Sequence, residues 1–502
     1  MYPVGLPAFY QFTLDHLSWS SLLLLSCIVC LCIALCDHFS DKTDAATAIP
    51  GPFILNLRPF FRTRFDFLNW GFKTTGQSLF QFRLLRNNVV VVSGEQGRKD
   101  FFNAKGLDLQ EGFRVLSGAL PFVQGVTSDL RQQRIASIYK RLANVQKSDR
   151  LTELIPEIAA DCQVMVESWG KSGSVDPFDK IYEIVFQTTV RCLTCSEIAN
   201  DPEVVARLRR LYDQVDRGTT PATVLFPWFP SPAMVMKLRA TKNIYDIVVT
   251  AMNVRKQSGV THNDSLQMLL DAGEEPNMIV GFIMGLLIAG ARSTGTIASW
   301  LITFLASHPH WRQEALREVQ GLIASHAADT SQAPRSASSL LSSLTLSALE
   351  NHTPILDSLI RETLRVAQPH VAMRRNVGPD MYIAGKIIPT GSFAVYPFSD
   401  VHLNPDLYPD PRRFDPLRPA VKEDFGYVGW GGGRVNCLGT RLAKLEMKIL
   451  AATVLLNHDF KLVDGAGAVP TAQPLPNWND VLTCRPSNGA FFLKYERSQP
   501  QA

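Results

Sequence analysis

A mostly α fold with small β-sheet parts, preceded by one N-terminal transmembrane helix, is predicted by three features of the chain. From about residue 128 to 325 the sequence reads as helix, broken by Pro202, by Pro221 and by the aromatic-proline stretch from Phe226 to Pro232. Strand-like composition is confined to residues 79–93, with Phe80-Gln81-Phe82 and Val89-Val90-Val91-Val92, and to short runs between 370 and 397. From Leu17 to Cys36 no residue is charged. Beyond residue 50 no linker is long enough to divide the chain, so many helices and a small strand-rich part form a single domain.

The uncharged run comes first. As a helix, residues 17–36 rise about 30 Å, the thickness of a hydrocarbon core. The first Lys or Arg is Lys42, followed by Arg58, Arg62 and Arg64. Positive charge therefore lies only on the C-terminal side, which should stay cytosolic. A cleaved signal peptide fits less well: it needs a basic n-region, and the best small-residue site, Ala46-Thr47-Ala48, lies far from the apolar stretch. The expected layout is a short lumenal N-terminus over 1–16, an anchor over 17–36, a linker over 37–55 stiffened by Ile49-Pro50-Gly51-Pro52, and the folded domain over 56–502. The sequons at Asn263 and Asn351 would then go unused.

At 502 residues and 46% hydrophobic the chain can bury a large core. A net charge of +4, with no basic run interleaved with aromatics, implies no nucleic-acid partner. Nine cysteines without framework spacing argue against a secreted disulfide scaffold. Cys27, Cys30, Cys32 and Cys36 sit in the apolar run and read as small hydrophobes. Cys192 and Cys195 form a CxxC with no second pair, which favours a buried helical pair over a redox or metal site. Residues 324–347, rich in Ser and Ala, are expected to form a surface loop.

Chemistry is concentrated near the C-terminus. Gly429-Trp430-Gly431-Gly432-Gly433-Arg434-Val435-Asn436-Cys437-Leu438-Gly439 sets one cysteine among glycines, and the amphipathic Arg441-Leu442-Ala443-Lys444-Leu445-Glu446 follows. Glycines such as Gly431 and Gly439 remove the bulk that keeps a backbone away from a large flat ligand. The start of a helix and nearby cations favour a thiolate, as a heme iron with a sulfur axial ligand requires. A Gly-rich loop around a buried structural cysteine is the plainer alternative. Upstream, Glu362 and Arg365 are i, i+3 on one helix face, alone a surface pair worth under about 1 kcal/mol. Tyr408-Pro409-Asp410-Pro411-Arg412-Arg413-Phe414 is a Pro-rich turn whose Arg413 could close a Glu–Arg–Arg cluster.

Glu-x-x-Arg, then Pro-x-Arg-Phe, then the cysteine loop, in this order, resemble the cytochrome P450 heme-thiolate family of the membrane-anchored microsomal kind, over essentially the whole chain. The wording Gly-Gly-Gly-Arg-x-x-Cys-x-Gly-x-Arg-x-Ala-Lys-Leu-Glu is most similar to fungal members. The resemblance implies a single P450-type domain holding heme b (iron-protoporphyrin IX), with Cys437 as the axial ligand of the iron and Glu362, Arg365 and Arg413 as a structural cluster. It implies that Arg374, in Val371-Ala372-Met373-Arg374, pairs with a heme propionate, a carboxylate that needs a cation in a partly dry site. Arg134 falls where the family has a Trp-x-x-x-Arg pair, but Leu130 replaces the tryptophan, so one propionate hydrogen bond should be missing. The basic residue usually found two before the cysteine is Val435 here; Arg434, one place earlier, is the substitute.

The apolar stretch from Glu274 to Ala306 would be a second membrane span but for Arg292, Ser293 and Thr294, which interrupt it. It resembles the family's long helix over the heme, with Ala289-Gly290 as the small residues that let oxygen and substrate approach. Where the pattern has an acid and then a threonine, this chain has Arg292 and Ser293, followed by Thr294. Ser293 could orient the distal water and Thr294 assist. Arg292 cannot serve as an acid; protons would come through ordered water, or Arg292 would bind an anionic substrate group.

The function implied is a monooxygenase that inserts one atom of O2 into a lipophilic small molecule, such as a terpenoid, a steroid-like compound or another secondary metabolite. Electrons would come from NADPH through a separate NADPH-cytochrome P450 reductase, docking near Arg131, Arg441 and Lys444. The place implied is the endoplasmic reticulum membrane, with the catalytic domain cytosolic. Pocket-lining residues are sought at 119–124, 226–232, 285–289 and 369–373. The alternatives are a P450-type isomerase, dehydratase or coupling enzyme, and a non-catalytic heme-binding sensor or carrier.

Overall fold

The computed structural model describes residues 44–112, 143–226, 228–330 and 340–498, together with Leu23, Ser26 and Cys27. The expected anchor therefore lies outside the described residues except at those three positions. Leu130, Arg131, Arg134 and the stretch 119–124 lie outside them too.

The principal helices are α1 (Ile54–Arg62), α2 (Gly94–Asn103), α3 (Ser148–Glu167), α4 (Pro177–Leu193), α5 (Pro202–Arg217), α6 (Pro232–Ser258), α7 (Pro276–Ser307), α8 (Pro309–Thr330), α9 (Pro354–Ala367) and α10 (Thr440–Asn457). Pro202, Pro221 and Pro232, expected as interruptions, each open a helix. The side chain of Asp176 caps α4, that of Asp201 caps α5 and that of Ser231 caps α6, each followed by a proline whose fixed φ suits the first helical position. α8 runs to Thr330, into the segment expected as a loop, because alanine is the best helix former.

The strands are β1 (Thr47–Ala48), β2 (Leu79–Leu84), β3 (Asn87–Val92), β4 (Leu107–Asp108), β5 (Ser172–Val175), β6 (Val371–Asn376), β7 (Met381–Ile383), β8 (Lys386–Ile388), β9 (Phe393–Pro397), β10 (Gly431–Gly432), β11 (Val435–Asn436), β12 (His458–Asp464) and β13 (Phe491–Arg497). Six of them form a sheet in the order β1-β2-β3-β9-β6-β4. β3 lies inside it, parallel to β9, and both its faces are covered: Val89 and Val91 pack with Phe60, Phe80 and Phe82, while Val90 and Val92 pack with Phe102 and Tyr396. An unbroken run of valines is what a strand buried on both faces requires. A second sheet, β12-β13-β5, was not anticipated, although Phe491, Leu493 and Tyr495 alternate as a half-buried strand does.

α7 runs through the main core, packed on α4, α9 and α10. It has the length and mean hydropathy (1.5) of a membrane span, yet Trp300, Ile302 and Leu305 are buried inside the protein. Trp300 Nε1 donates to the Cys484 carbonyl at 2.8 Å, which satisfies the indole in the core. Glycines set how closely α4 and α7 approach. A Cβ on Gly295 would overlap the Tyr182 ring, and one on Gly290 would stand 3.1 Å from Leu193.

Candidate active site

β10 and β11 pair as a tight hairpin, Gly431 opposite Asn436 and Gly432 opposite Val435. Gly431 (φ 88°) and Gly433 (φ 59°) occupy the left-handed region that favours glycine. A Cβ on Gly431 would stand 2.5 Å from the Val435 carbonyl oxygen, and one on Gly433 would overlap the Phe102 carbonyl. Past the hairpin the Cys437 N–H donates to the Trp430 carbonyl at 2.7 Å. Gly439 precedes the first turn of α10, and Thr440 Oγ1 donates to the Cys437 carbonyl at 2.9 Å. Cys437 thus stands just ahead of a helix N-terminus with its side chain exposed, not buried as the plainer alternative requires.

Behind the loop lies a buried charge network. Arg365 donates Nε to Glu362 Oε2 at 2.8 Å and Nη2 to Oε1 at 2.7 Å, and its Nη1 reaches the His402 and Pro411 carbonyls, both at 2.7 Å. The second guanidinium on Glu362 is not the expected Arg413 but Arg418, whose Nε lies 3.1 Å from Oε1. Arg413 points outward to Asp415 and contributes only its carbonyl, which accepts from Arg365 and Arg418. The correction has a physical cause: the Asp415 N–H binds Glu362 Oε1 at 3.0 Å, so the turn closes on Glu362 after residue 413. Pro-x-Arg occurs twice, at Pro411 and at Pro416, and the second was the signal overlooked. Burial, with Arg365 and Arg361 nearby, pushes His402 down to about 3. The neutral ring accepts the Val428 N–H at Nε2, 3.1 Å away, and ties the network to the cysteine loop.

Arg374 is 2% exposed and points between the sheet and that loop. Its Nη1 donates to the Phe101 carbonyl at 2.8 Å, and the guanidinium lies 4.5 Å from the Phe101 ring centroid. Its Nε is buried without a hydrogen-bond partner, and burial lowers its pKa to about 10. No carboxylate faces it among the described residues. The neighbouring Phe102 carbonyl receives the Arg434 N–H at 3.4 Å, so the end of α2 joins Arg374 to the cysteine hairpin. The Arg434 side chain is exposed. Arg441 pairs with Glu350 at 2.8 Å and Lys444 with Asp357 at 3.0 Å, so neither is a free cation.

On α7, Ala289 and Ser293 are exposed, one turn apart on a helix otherwise mostly buried, and a Cβ on Gly285 would meet nothing within 4 Å. These positions open one face of α7. Gly290 faces α4, so its smallness serves helix packing and not the open face. Ser293 Oγ donates to the Ala289 carbonyl at 2.8 Å, and Thr294 is buried on another side. Arg292 turns to α5: Nη2 reaches Asp213 at 2.8 Å, Nε reaches Asp216 at 3.0 Å, and the guanidinium stacks 4.6 Å from the Tyr182 centroid. It is committed to these partners.

Cys192 and Cys195 are buried, and burial raises both thiols, Cys195 to about 12; no cluster of three or more His, Cys, Asp or Glu able to hold a metal ion occurs among the described residues. One titratable group was missed. Glu446 is buried on α10, its Oε1 accepts from Thr188 at 2.8 Å and Thr189 at 3.0 Å, and burial pushes its carboxyl up to about 7.

The model of the family "Cytochrome P450" matches residues 48–487. The chain is 31% identical over 409 residues to the cytochrome P450 monooxygenase AacuE of Aspergillus aculeatus, covering 78% of this chain and 81% of that protein. It is 28% identical to the cytochrome P450 monooxygenase dmxR5 of a Cryptosporiopsis species, covering 85% of each. Among solved structures, the retinoic acid-bound cyanobacterial CYP120A1 superposes with a TM-score of 0.73 at 21% identity, over 91% of this chain and 100% of that one.

Proposed function

Because the chain belongs to the cytochrome P450 family and is one of its monooxygenases, we propose that it oxidises a lipophilic secondary metabolite of fungal type, with Cys437 holding the iron of heme b. The observation that carries the cofactor assignment is the orphaned Nε of Arg374, a buried cation facing no carboxylate among the described residues, beside a hairpin whose left-handed Gly431 and Gly433 leave no room for a side chain. A propionate is the anion it lacks. Bound there, the heme supplies dioxygen activation, which a thiolate ligand favours. The chain's own residues do the rest. Gly431 and Gly433 keep the backbone low, Gly439 leaves the thiol open, and the Glu362–Arg365–Arg418 network fixes the loop from behind. Ser293, on the open face of α7, orients water. Arg134 and Arg434 are the further propionate candidates, and Thr294, being buried, stands behind Ser293.

O2 and electrons from NADPH-cytochrome P450 reductase complete the reaction. We place the protein in the endoplasmic reticulum membrane, spanning once over residues 17–36, with the folded domain cytosolic; that domain includes β1 and the start of α1, ahead of the expected boundary at residue 56. Trp228 (77% exposed), Phe229, and Ile54 and Leu55 of α1 are exposed apolar side chains, suited to a bilayer and to substrates dissolved in it.

The test is a reduced carbon-monoxide difference spectrum on microsomes, with NADPH and a co-expressed reductase as the only electron source. A strongly red-shifted band is expected, and Cys437→Ser should abolish it. A band seen only with a chemical reductant would remove the reductase partnership.

A further inference from the structure

The place where the family pattern has an acid is occupied by Arg292, and two carboxylates surround it. We propose that Asp216 on α5, held by Arg292 and supplied from solvent past Asp213, is the proton donor for the water oriented by Ser293: acid and cation have exchanged helices. This rests on the monooxygenase reading above.

Three observations carry it. Asp216 Oδ2 accepts from both Nε and Nη2 of Arg292, so the carboxyl is fixed against the residue that precedes Ser293. A crevice of about 70 Å³, lined by Asp213, Arg292, Thr296 and Ser299, has room for several waters. Thr296 lies one helical turn from both Arg292 and Ser293, so the crevice, which Asp213 lines and Asp216 and Ser293 do not, meets α7 one turn from the exposed hydroxyl. The groups facing Asp216 are Arg292 from α7, Tyr182 from α4, Lys237 from α6, and Tyr212 and Asp213 on its own helix. Burial raises the Asp216 carboxyl above the usual carboxylate range although Arg292 opposes it. Burial lowers Lys237 to about 8.

Inserting one oxygen atom consumes one O2, two electrons and two protons, and releases one water. The electrons come from the reductase. Asp216 as the acid gives a proton through water at Ser293, its carboxylate stays paired with Arg292, and it takes the next proton from crevice water.

The test needs no native substrate. Purified holoenzyme is treated with cumene hydroperoxide, with ascorbate as electron donor. Two-electron cleavage, which needs a proton on the departing oxygen, gives cumyl alcohol, whereas one-electron cleavage leads to acetophenone. Asp216→Asn should lower the alcohol-to-ketone ratio about tenfold while the carbon-monoxide band is retained, and Asp216→Glu should rescue the ratio. A readout free of turnover is pH-difference infrared spectroscopy, in which Asp216→Asn should remove a titrating carboxylic acid band. Should Asp216→Asn not fold, the exchange Arg292→Asp with Asp216→Arg keeps the pair and should give the wild-type ratio. An unchanged ratio in folded Asp216→Asn, or a low one in the folded exchange, overturns the proposal. Absence of the carbon-monoxide band in wild type would instead overturn the heme-thiolate reading.

Discussion

Around Glu362 the arginines bond largely to main chain. Arg365 and Arg418 between them reach the carbonyls of His402, Pro409, Asp410, Pro411 and Arg413. Around Arg292, on the other side of the site, the guanidinium's hydrogen bonds among the described residues run to side chains, Asp213 and Asp216. The difference bears on how freely each cluster can change. A guanidinium that satisfies several fixed carbonyls cannot be moved without stranding them. One that answers a carboxylate across a helix interface can change places with it. The Glu362 side keeps its Glu-x-x-Arg pair, whereas the α7 side departs from its pattern.

The contrast predicts unequal responses. Arg418→Leu leaves Glu362 and several carbonyls short of donors and should cost about 3–5 kcal/mol in urea unfolding. Arg413→Leu, at a side chain pointing to solvent, should cost under about 1 kcal/mol. Equal losses would erase the distinction between the two arginines. Glu446 sits at the seam, reaching from α10 to Thr188 and Thr189 on α4. Its carboxyl is raised from 4.5 to about 7, so across that window the folded state holds a proton that the unfolded chain has lost. Stability should therefore fall as pH rises from about 4.5 to 7 and level off above. Relative to wild type, Glu446→Gln should gain about 3 kcal/mol between pH 4.5 and pH 8; a pH-independent gap would mean the carboxyl ionises normally. A smaller effect than that of Arg418 or Glu446 belongs to α7. Arg292→Leu should cost about 1–2 kcal/mol, since the cluster is partly solvated. Restoring the charges in exchanged order should recover most of it, and failure to recover would show this side to be as rigid as the other.

What could be read in the sequence follows from the range of the interactions. Gly431, Cys437 and the Glu362–Arg365 pair are local patterns, and the structure has a Gly-rich turn ahead of a helix at Cys437 and the i, i+3 ion pair at Glu362. The valine run of β3 was legible for the same reason. Arg418 was missed because two Pro-x-Arg units lie five residues apart, and only the closure of the Asp415 turn on Glu362 separates them. The partners of Arg292 were beyond reach: Asp213 and Asp216 stand more than seventy residues upstream, and nothing local marks them. Gly290 was assigned to the open face because a small residue looks the same whether a ligand or another helix approaches it.

β13 is the middle strand of its sheet, with β12 on one side and β5 on the other. During synthesis Ser172–Val175 emerges roughly three hundred residues before its partner. Until residues 491–497 have been made, β5 and β12 have nothing between them. A chain cut just before Phe491 would therefore unclasp an element laid down some three hundred residues earlier, so β13 acts as a late fastening.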